Sequence, residues 1–387
     1  MFLILGKYST FSAKRSSVLS FLRQYAPIFV FFILQKAHLR FCATNVTRYF
    51  KNTVSLAIIL NEMLKKSFIT VLLLLIFSVL RAQDGTSAFQ FLKLPFSAHT
   101  SALGGENISI IEDDLTMAVQ NPALLSCVAD KTLNLNYMLY MDGVNVGGAA
   151  FARTAGERST WAVTAQYVNY GELKETTEEN IEIGTFSAKD ISISGIYTYD
   201  LSDYWSGGVR TNFIYSHYDK YSSFAIGIDL GLNYYHQESD FSASLVARNL
   251  GGQLKAFEER HEKLPADVQL GFSKRLAHAP FRLSFTLHDL TQWSTSATAA
   301  NNFGKKLLNH IALGIDFLPT NNFYLAAGYN FRRGEEMKIN GSSHWAGFTC
   351  GTGIQLKRLK LGMAYAKYHV SSSSLIFNLS YLSLIHI

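Results

Sequence analysis

The chain has 387 residues, 48% of them apolar and 17% charged, with a formal net charge of +6 and three cysteines. The basic excess belongs to the first 82 residues. From Gln83 onward 24 basic residues face 28 acidic ones, a net −4, which leaves no electrostatic footprint for a nucleic acid. Two cysteines remain in that part, Cys127 and Cys350. This excludes a disulfide framework, with one bridge in an oxidising compartment as the alternative to two free thiols.

Residues 1–62 carry eight basic residues against Glu62, an apolar run at 26–34 and no period of 2 or 3.6. They read as a spurious upstream extension, with a short membrane anchor near 29–34 as the alternative. Residues 63–82, MLKKSFITVLLLLIFSVLRA, have the parts of a signal peptide: Lys65 and Lys66, an apolar run from Phe68 to Leu80, and Ala82 at the cut. That run is short of the roughly 20 residues a spanning helix needs. Gln83 is therefore expected to start an exported chain.

Residues 83–130 form a segment of their own. Asp113 or Asp114 is placed to cap a short helix through Val119, and Asn121-Pro122 stops it because the residue before proline is biased away from helix. Gly104-Gly105 marks a turn.

From residue 131 to 381 apolar and small or polar residues alternate in runs of about ten, the period of strands with two unlike faces. In FAIGIDLGLNYYH, Phe224, Ile226, Ile228, Leu230 and Leu232 share one face, and Ala225, Gly227, Asp229, Gly231 and Asn233 the other. Strand starts fall near Lys131, Gly143, Ser159, Lys189, Tyr204, Phe224, Asp240, Asp267, Phe281, Leu308, Asn322, His344, Leu359 and Ser374. Fourteen strands, an even number, fit a closed bacterial membrane barrel. Its even-to-odd connections are short (200–203, 237–239, 277–280, 319–321, 357–358) and its odd-to-even ones include the long stretches 171–188, 251–266, 290–307 and 332–343. Short periplasmic turns and long external loops sort in this way. The reading is an all-β, 14-stranded antiparallel transmembrane β-barrel whose unlike faces meet lipid and lumen, with residues 83–130 inside as a plug near Ser206, Arg210, Asn212 and Asp229.

Tyr167, Tyr170, Tyr215 and Tyr218 are expected in an outer aromatic girdle, and Tyr197, Tyr199, Tyr204, Trp205, Tyr234 and Tyr235 in an inner one. Gly147-Gly148 and Gly207-Gly208 are candidate strand irregularities. The last six residues, 382–387 (LSLIHI), read like a translated sequencing adapter and are expected to be foreign.

The plug motif Asp113, Asp114, Asn121, Pro122 and Ala123 resembles the N-terminal plug of the FadL-like outer-membrane proteins, whose fold is a 14-stranded barrel. FQFLKLPFSAHTSALGG, IYSHYDKYSSFAIGIDLGLNYY and SKRLAHAPFRLSFTLHDL resemble the PorQ group of that family, part of the type IX secretion system, over residues 83–381. The resemblance implies a non-enzymatic outer-membrane component. It would tether a PorZ-like surface protein and act with a sortase-like peptidase and a PorV-like shuttle. The alternative is a FadL-type channel for hydrophobic small molecules, marked by an apolar lumenal pocket and a kinked wall.

No catalytic, cofactor or metal site is expected. The ten histidines beyond residue 82 are scattered, with no i, i+4 pair and no cysteine in ligand register. Glu175, Glu178 and Glu179 in one external loop, and Glu258, Glu259 and Arg260 in another, are the candidate partner-binding residues.

Overall fold

The computed structural model describes residues 88–179, 181–258, 261–291, 303–336, 345–367 and 372–382. The expected upstream extension, signal peptide and residues 383–387 lie outside the described residues, as do Glu259 and Arg260. Among the described residues no helix is long and apolar enough to cross a membrane.

Fourteen strands close into one antiparallel barrel. They are β1 (Thr132–Leu139), β2 (Asn145–Thr154), β3 (Ser159–Thr176), β4 (Glu182–Asp200), β5 (Trp205–Tyr218), β6 (Tyr221–His236) and β7 (Phe241–Lys255). The second half contains β8 (Asp267–Arg275), β9 (Phe281–Leu287), β10 (Ile311–Thr320), β11 (Phe323–Asn330), β12 (Phe348–Leu356), β13 (Leu359–Lys367) and β14 (Ser373–Leu382). Each pairs with its sequence neighbours, and β1 zips to β14 from Thr132↔Leu382 to Leu139↔Leu375. The β1–β14 seam pairs the two edges that an open sheet would turn to hydrocarbon. Leu382, assigned by sequence to the foreign tail, is the last residue of β14.

The alternation sets the two faces. Leu359, Leu361 and Met363 of β13 point out to lipid, each more than 40% exposed, while Ala364 and Ala366 are buried inside. In β6 Ile228 faces out and Ala225, Asp229 and Asn233 face in. A lipid-facing leucine loses nothing by exposure here, because its surroundings are as apolar as a core.

Four differences from the sequence reading have physical causes. β4 begins at Glu182, not near Lys189, and β3 runs to Thr176: the pairing Glu172↔Ser187 to Thr176↔Glu182 extends a two-stranded ribbon past the last partners of β2 and β5. From Glu172 to Glu179 polar residues follow one another with Leu173 the one apolar residue, so periodicity reads as loop. Second, Tyr170 and Tyr218 do not join a girdle. Their hydroxyls turn inward and donate to Asp190 at 2.6 and 2.9 Å. Third, Gly148 and Gly208 sit in unbroken register. They are places of close approach from inside, not irregularities. Fourth, β10 and β12 begin late, at Ile311 and Phe348, because a short helix stands before one and Trp345 and a turn before the other.

Helices are few. α1 (Ala98–Ala102) lies in the plug, α2 (Phe303–Leu308) before β10, and α3 (Phe331–Glu336) after β11. The plug also holds 3₁₀ turns at Gln90–Lys93, Leu115–Val119 and Pro122–Cys127.

Candidate functional site: the seam between plug and wall

The plug folds by caps more than by regular structure. Ser97 accepts the amide of Thr100 and starts α1. Gly104 and Gly105, both at positive φ, turn the chain after it. Asp114 caps the turn Leu115–Val119 by accepting the Thr116 amide at 3.0 Å, and Asp113 accepts from the Ala129 amide at 2.8 Å. Asn121 accepts the Ala123 amide at 3.0 Å, donates to the Ile108 carbonyl at 2.8 Å, and places Pro122 at the first position of the next turn. All five motif residues thus hold the plug's own shape.

Small residues of the wall seat it. A Cβ on Gly208 would fall 2.3 Å from the Pro122 carbonyl carbon, one on Gly231 would fall 2.2 Å from Asn121 Oδ1, and one on Gly328 would fall 2.4 Å from the Gly104 amide nitrogen. Ser206 Oγ donates to the Ala123 carbonyl and Thr349 Oγ1 to that of Ala102.

Charged clusters fasten the seam, among them one at Asp289, which pairs with Lys93 of the plug at 2.8 Å. His99 of α1 lies between Glu112 Oε2 at 3.0 Å and Asp316 Oδ1 of β10 at 2.7 Å, stacked on Tyr324 with ring centroids 3.8 Å apart. Arg282 of β9 bridges the same carboxylates, donating to Glu112 Oε1 and Asp316 Oδ2 at 2.8 Å each. Lys360 of β13 adds a contact to Glu112 at 3.6 Å. Burial alone would lower the pKa of His99, but Glu112 and Asp316 outweigh it and raise it to about 9. Burial would likewise raise that of Glu112, yet His99, Arg282 and Lys360 hold it well below its ordinary value of 4.5. The gap at this junction, by Asp114, Tyr324 and Lys360, is about 10 Å³, at the lower limit for one water.

Another cluster joins the plug to β5, β6 and β7. Arg210 donates to the Val119 carbonyl at 2.8 Å and pairs with Asp229 at 3.3 Å, and Arg248 donates to Gln120 Oε1 at 2.7 Å. The wall is irregular here. β7 bulges between Ala247 and Leu250, turning Arg248 and Asn249 both inward, with Asn249 at φ +54° and its amide on Asp229. Beyond Arg248, β7 has no partner in β8, and the connection after it folds back, closing with a Gly252↔Lys263 bridge and burying Leu264.

Beside these clusters the interior turns apolar. Phe89, Phe91 and Leu92 of the plug pack with Met138, Val146, Val168, Ile214 and Leu264, and Phe89 stacks on Phe257 at 6.0 Å.

The candidate partner residues are not brought together. Glu175 lies in the β3–β4 ribbon and Glu178 and Glu179 at its tip, all exposed, while Glu258 is exposed on the β7–β8 connection. Sequence reasoning passed over His99, Glu112, Arg282, Asp316 and Lys360. The signal was there for two of them: Arg282 and Asp316 break the small-residue rule at inward positions between outward Phe281 and Leu283, and between Ile315 and Phe317. Among the described residues no cluster of His, Cys, Asp or Glu is arranged to hold a metal.

The fold has solved counterparts. The TodX monoaromatic hydrocarbon channel, as a deltaS2 mutant, matches with a TM-score of 0.50 at 12% identity, covering 76% of this chain and 99% of its own. The fold is FadL-like. The Pseudomonas putida toluene transporter TodX (TM-score 0.48, 11% identity, 74% and 98% covered) and a Pseudomonas aeruginosa FadL homologue (0.46, 11%, 73% and 97%) are similar in the same sense. No protein-family model matches the sequence, and no curated protein matches it.

Proposed function

We propose that the chain is a non-enzymatic outer-membrane barrel that takes up hydrophobic small molecules. One observation carries this reading. Inside the barrel Phe89, Phe91 and Leu92 of the plug belong to a buried apolar cluster with Met138, Val146, Val168, Ile214 and Leu264. Wall side chains that pack against phenylalanine rings have the chemistry to accept an aromatic or aliphatic solute where the plug moves aside. The β7 bulge beside it supplies the wall irregularity that such a route needs. The solved counterpart with the same fold is a monoaromatic hydrocarbon channel, which supports the reading. Initial uptake of a radiolabelled monoaromatic hydrocarbon is expected to fall several-fold in cells lacking the gene and to return with the gene on a plasmid. Equal uptake in both strains overturns the proposal.

The β3–β4 ribbon favours a second reading, a scaffold in the type IX secretion system that holds a PorZ-like surface protein. Past the barrel it presents Glu172, Glu175, Glu178, Glu179 and Glu182, with Ile181 and Ile183 about 60% exposed. A lone two-stranded ribbon is marginally stable in water, and a partner strand or surface would steady it. Deleting residues 172–187 with a short turn in their place separates the readings. Loss of surface attachment of secreted proteins with uptake intact supports the scaffold, and retained attachment removes it.

A further inference from the structure

The rim between β9 and β12 carries exposed apolar side chains ahead of two of its strands. β9 pairs from Phe281 to Leu287 with Phe317 to Ile311 of β10, and the pairing goes on through His288 to the His310 carbonyl. The segment leading into β10 stands at this end of the wall, two residues before Ile311 and next to the outward Leu313 and Ile315.

That segment is α2, FGKKLL. Asn309 and His310 after it are buried and return the chain to Ile311. Its apolar side chains are not buried by protein: Phe303 is 71% exposed, and Leu307 and Leu308 are exposed as well. Trp345, two strands along the same rim, is 73% exposed and meets lipid-facing Phe348 edge to face at 5.8 Å. Four large apolar groups on one rim are unfavourable in water and favourable at the bilayer interface, where tryptophan also concentrates. Lys305 and Lys306 lie within the same six residues, with no acidic residue in the helix. Lysine stems reach along apolar surface and put the ammonium at headgroup level.

We infer that α2, with Trp345, is a docking surface for anionic phosphate-bearing lipid of the outer leaflet. Phe303, Leu307 and Leu308 lie among the acyl chains, and Lys305 and Lys306 engage the headgroup phosphates. The occupant follows from position: the lipid-facing band of Leu313, Ile315 and Tyr329 directly below fixes where the bilayer stands. This surface does not depend on whether the barrel passes solutes.

Two measurements on the full barrel test it. By native mass spectrometry from mixed micelles, the barrel is expected to retain phosphatidylglycerol over phosphatidylcholine, and Lys305→Ala/Lys306→Ala to lower that retention about tenfold or more. Unchanged retention in the variant, or its loss on adding inorganic phosphate, overturns the inference. In phosphatidylglycerol nanodiscs, a nitroxide at Leu308→Cys, with Cys127 and Cys350 replaced, is expected to be more accessible to oxygen than to a water-soluble nickel chelate. The reverse order places α2 in water, and shielding from both places it under protein; either result overturns the proposal.

Discussion

At the scale of single residues the plug depends on charges that would be costly anywhere else in the lumen. His99 is fully buried between two carboxylates, and Arg282 touches the same pair. Removing His99 leaves Glu112 Oε2 and Asp316 Oδ1 without its two charge-assisted hydrogen bonds, so His99→Ala is expected to weaken plug docking by about 3–5 kcal/mol. Denaturant titration, with protease sensitivity of residues 88–130 as the readout, measures this. The pH dependence has a definite sign. His99 is raised from 6.5 to about 9, so its contribution is whole below pH 6.5 and is lost as pH rises through about 9. Glu112 is held below its ordinary 4.5, so its contribution is whole above that value and is lost as pH falls below it. The plug should therefore resist protease best between about pH 4.5 and 6.5, loosen above pH 9 and loosen again in strong acid. A flat profile from pH 5 to 10 would contradict the assignment of His99.

At the scale of elements the plug is a set of capped turns pressed onto wall glycines, and the fit is one of backbone against backbone. Gly208 admits the Pro122 carbonyl where any side chain would collide. β5 itself has room for a larger residue only if the plug lifts. Gly208→Val is therefore expected to leave the barrel folded, with unchanged circular dichroism, and to free the plug, raising the protease cleavage rate within 115–127 several-fold. If the plug stays protected, the turn Pro122–Cys127 seats elsewhere. The β3–β4 ribbon is the opposite case, an element without a seat: Lys174 and Glu182 pair across it, and both strands lack outer neighbours there.

At the scale of the molecule stability lies in closure. Eight register pairs join β1 to β14, and removing β14 exposes the edges of β1 and β13 to hydrocarbon, with several kcal/mol lost for each unpaired group. The full chain, refolded into detergent, should migrate faster on an unboiled denaturing gel than after boiling. A chain ending before Ser373 should show a single mobility in both conditions. Equal behaviour of the two would mean that closure is not what holds the wall.

The sequence by itself determined the wall. Period-2 alternation gives each strand two faces, and only one arrangement satisfies lipid outside, polar groups inside and paired backbone throughout, so Ile228 and Asp229 reveal their sides without coordinates. It also determined the plug's caps, since Asp114 and Asn121 act within two residues of themselves. Tertiary structure alone decided the rest, because the contacts are long-range: His99 finds Asp316 from 217 residues away, and Arg248 finds Gln120 from 128. It decided as well that Tyr170 and Tyr218 turn inward to Asp190, that Gly208 is a seat, and that residues 172–187 pair as a ribbon. Alternation states which face a residue occupies and is silent on what it meets there, since the partner is chosen by the register of other strands and by how the plug is folded.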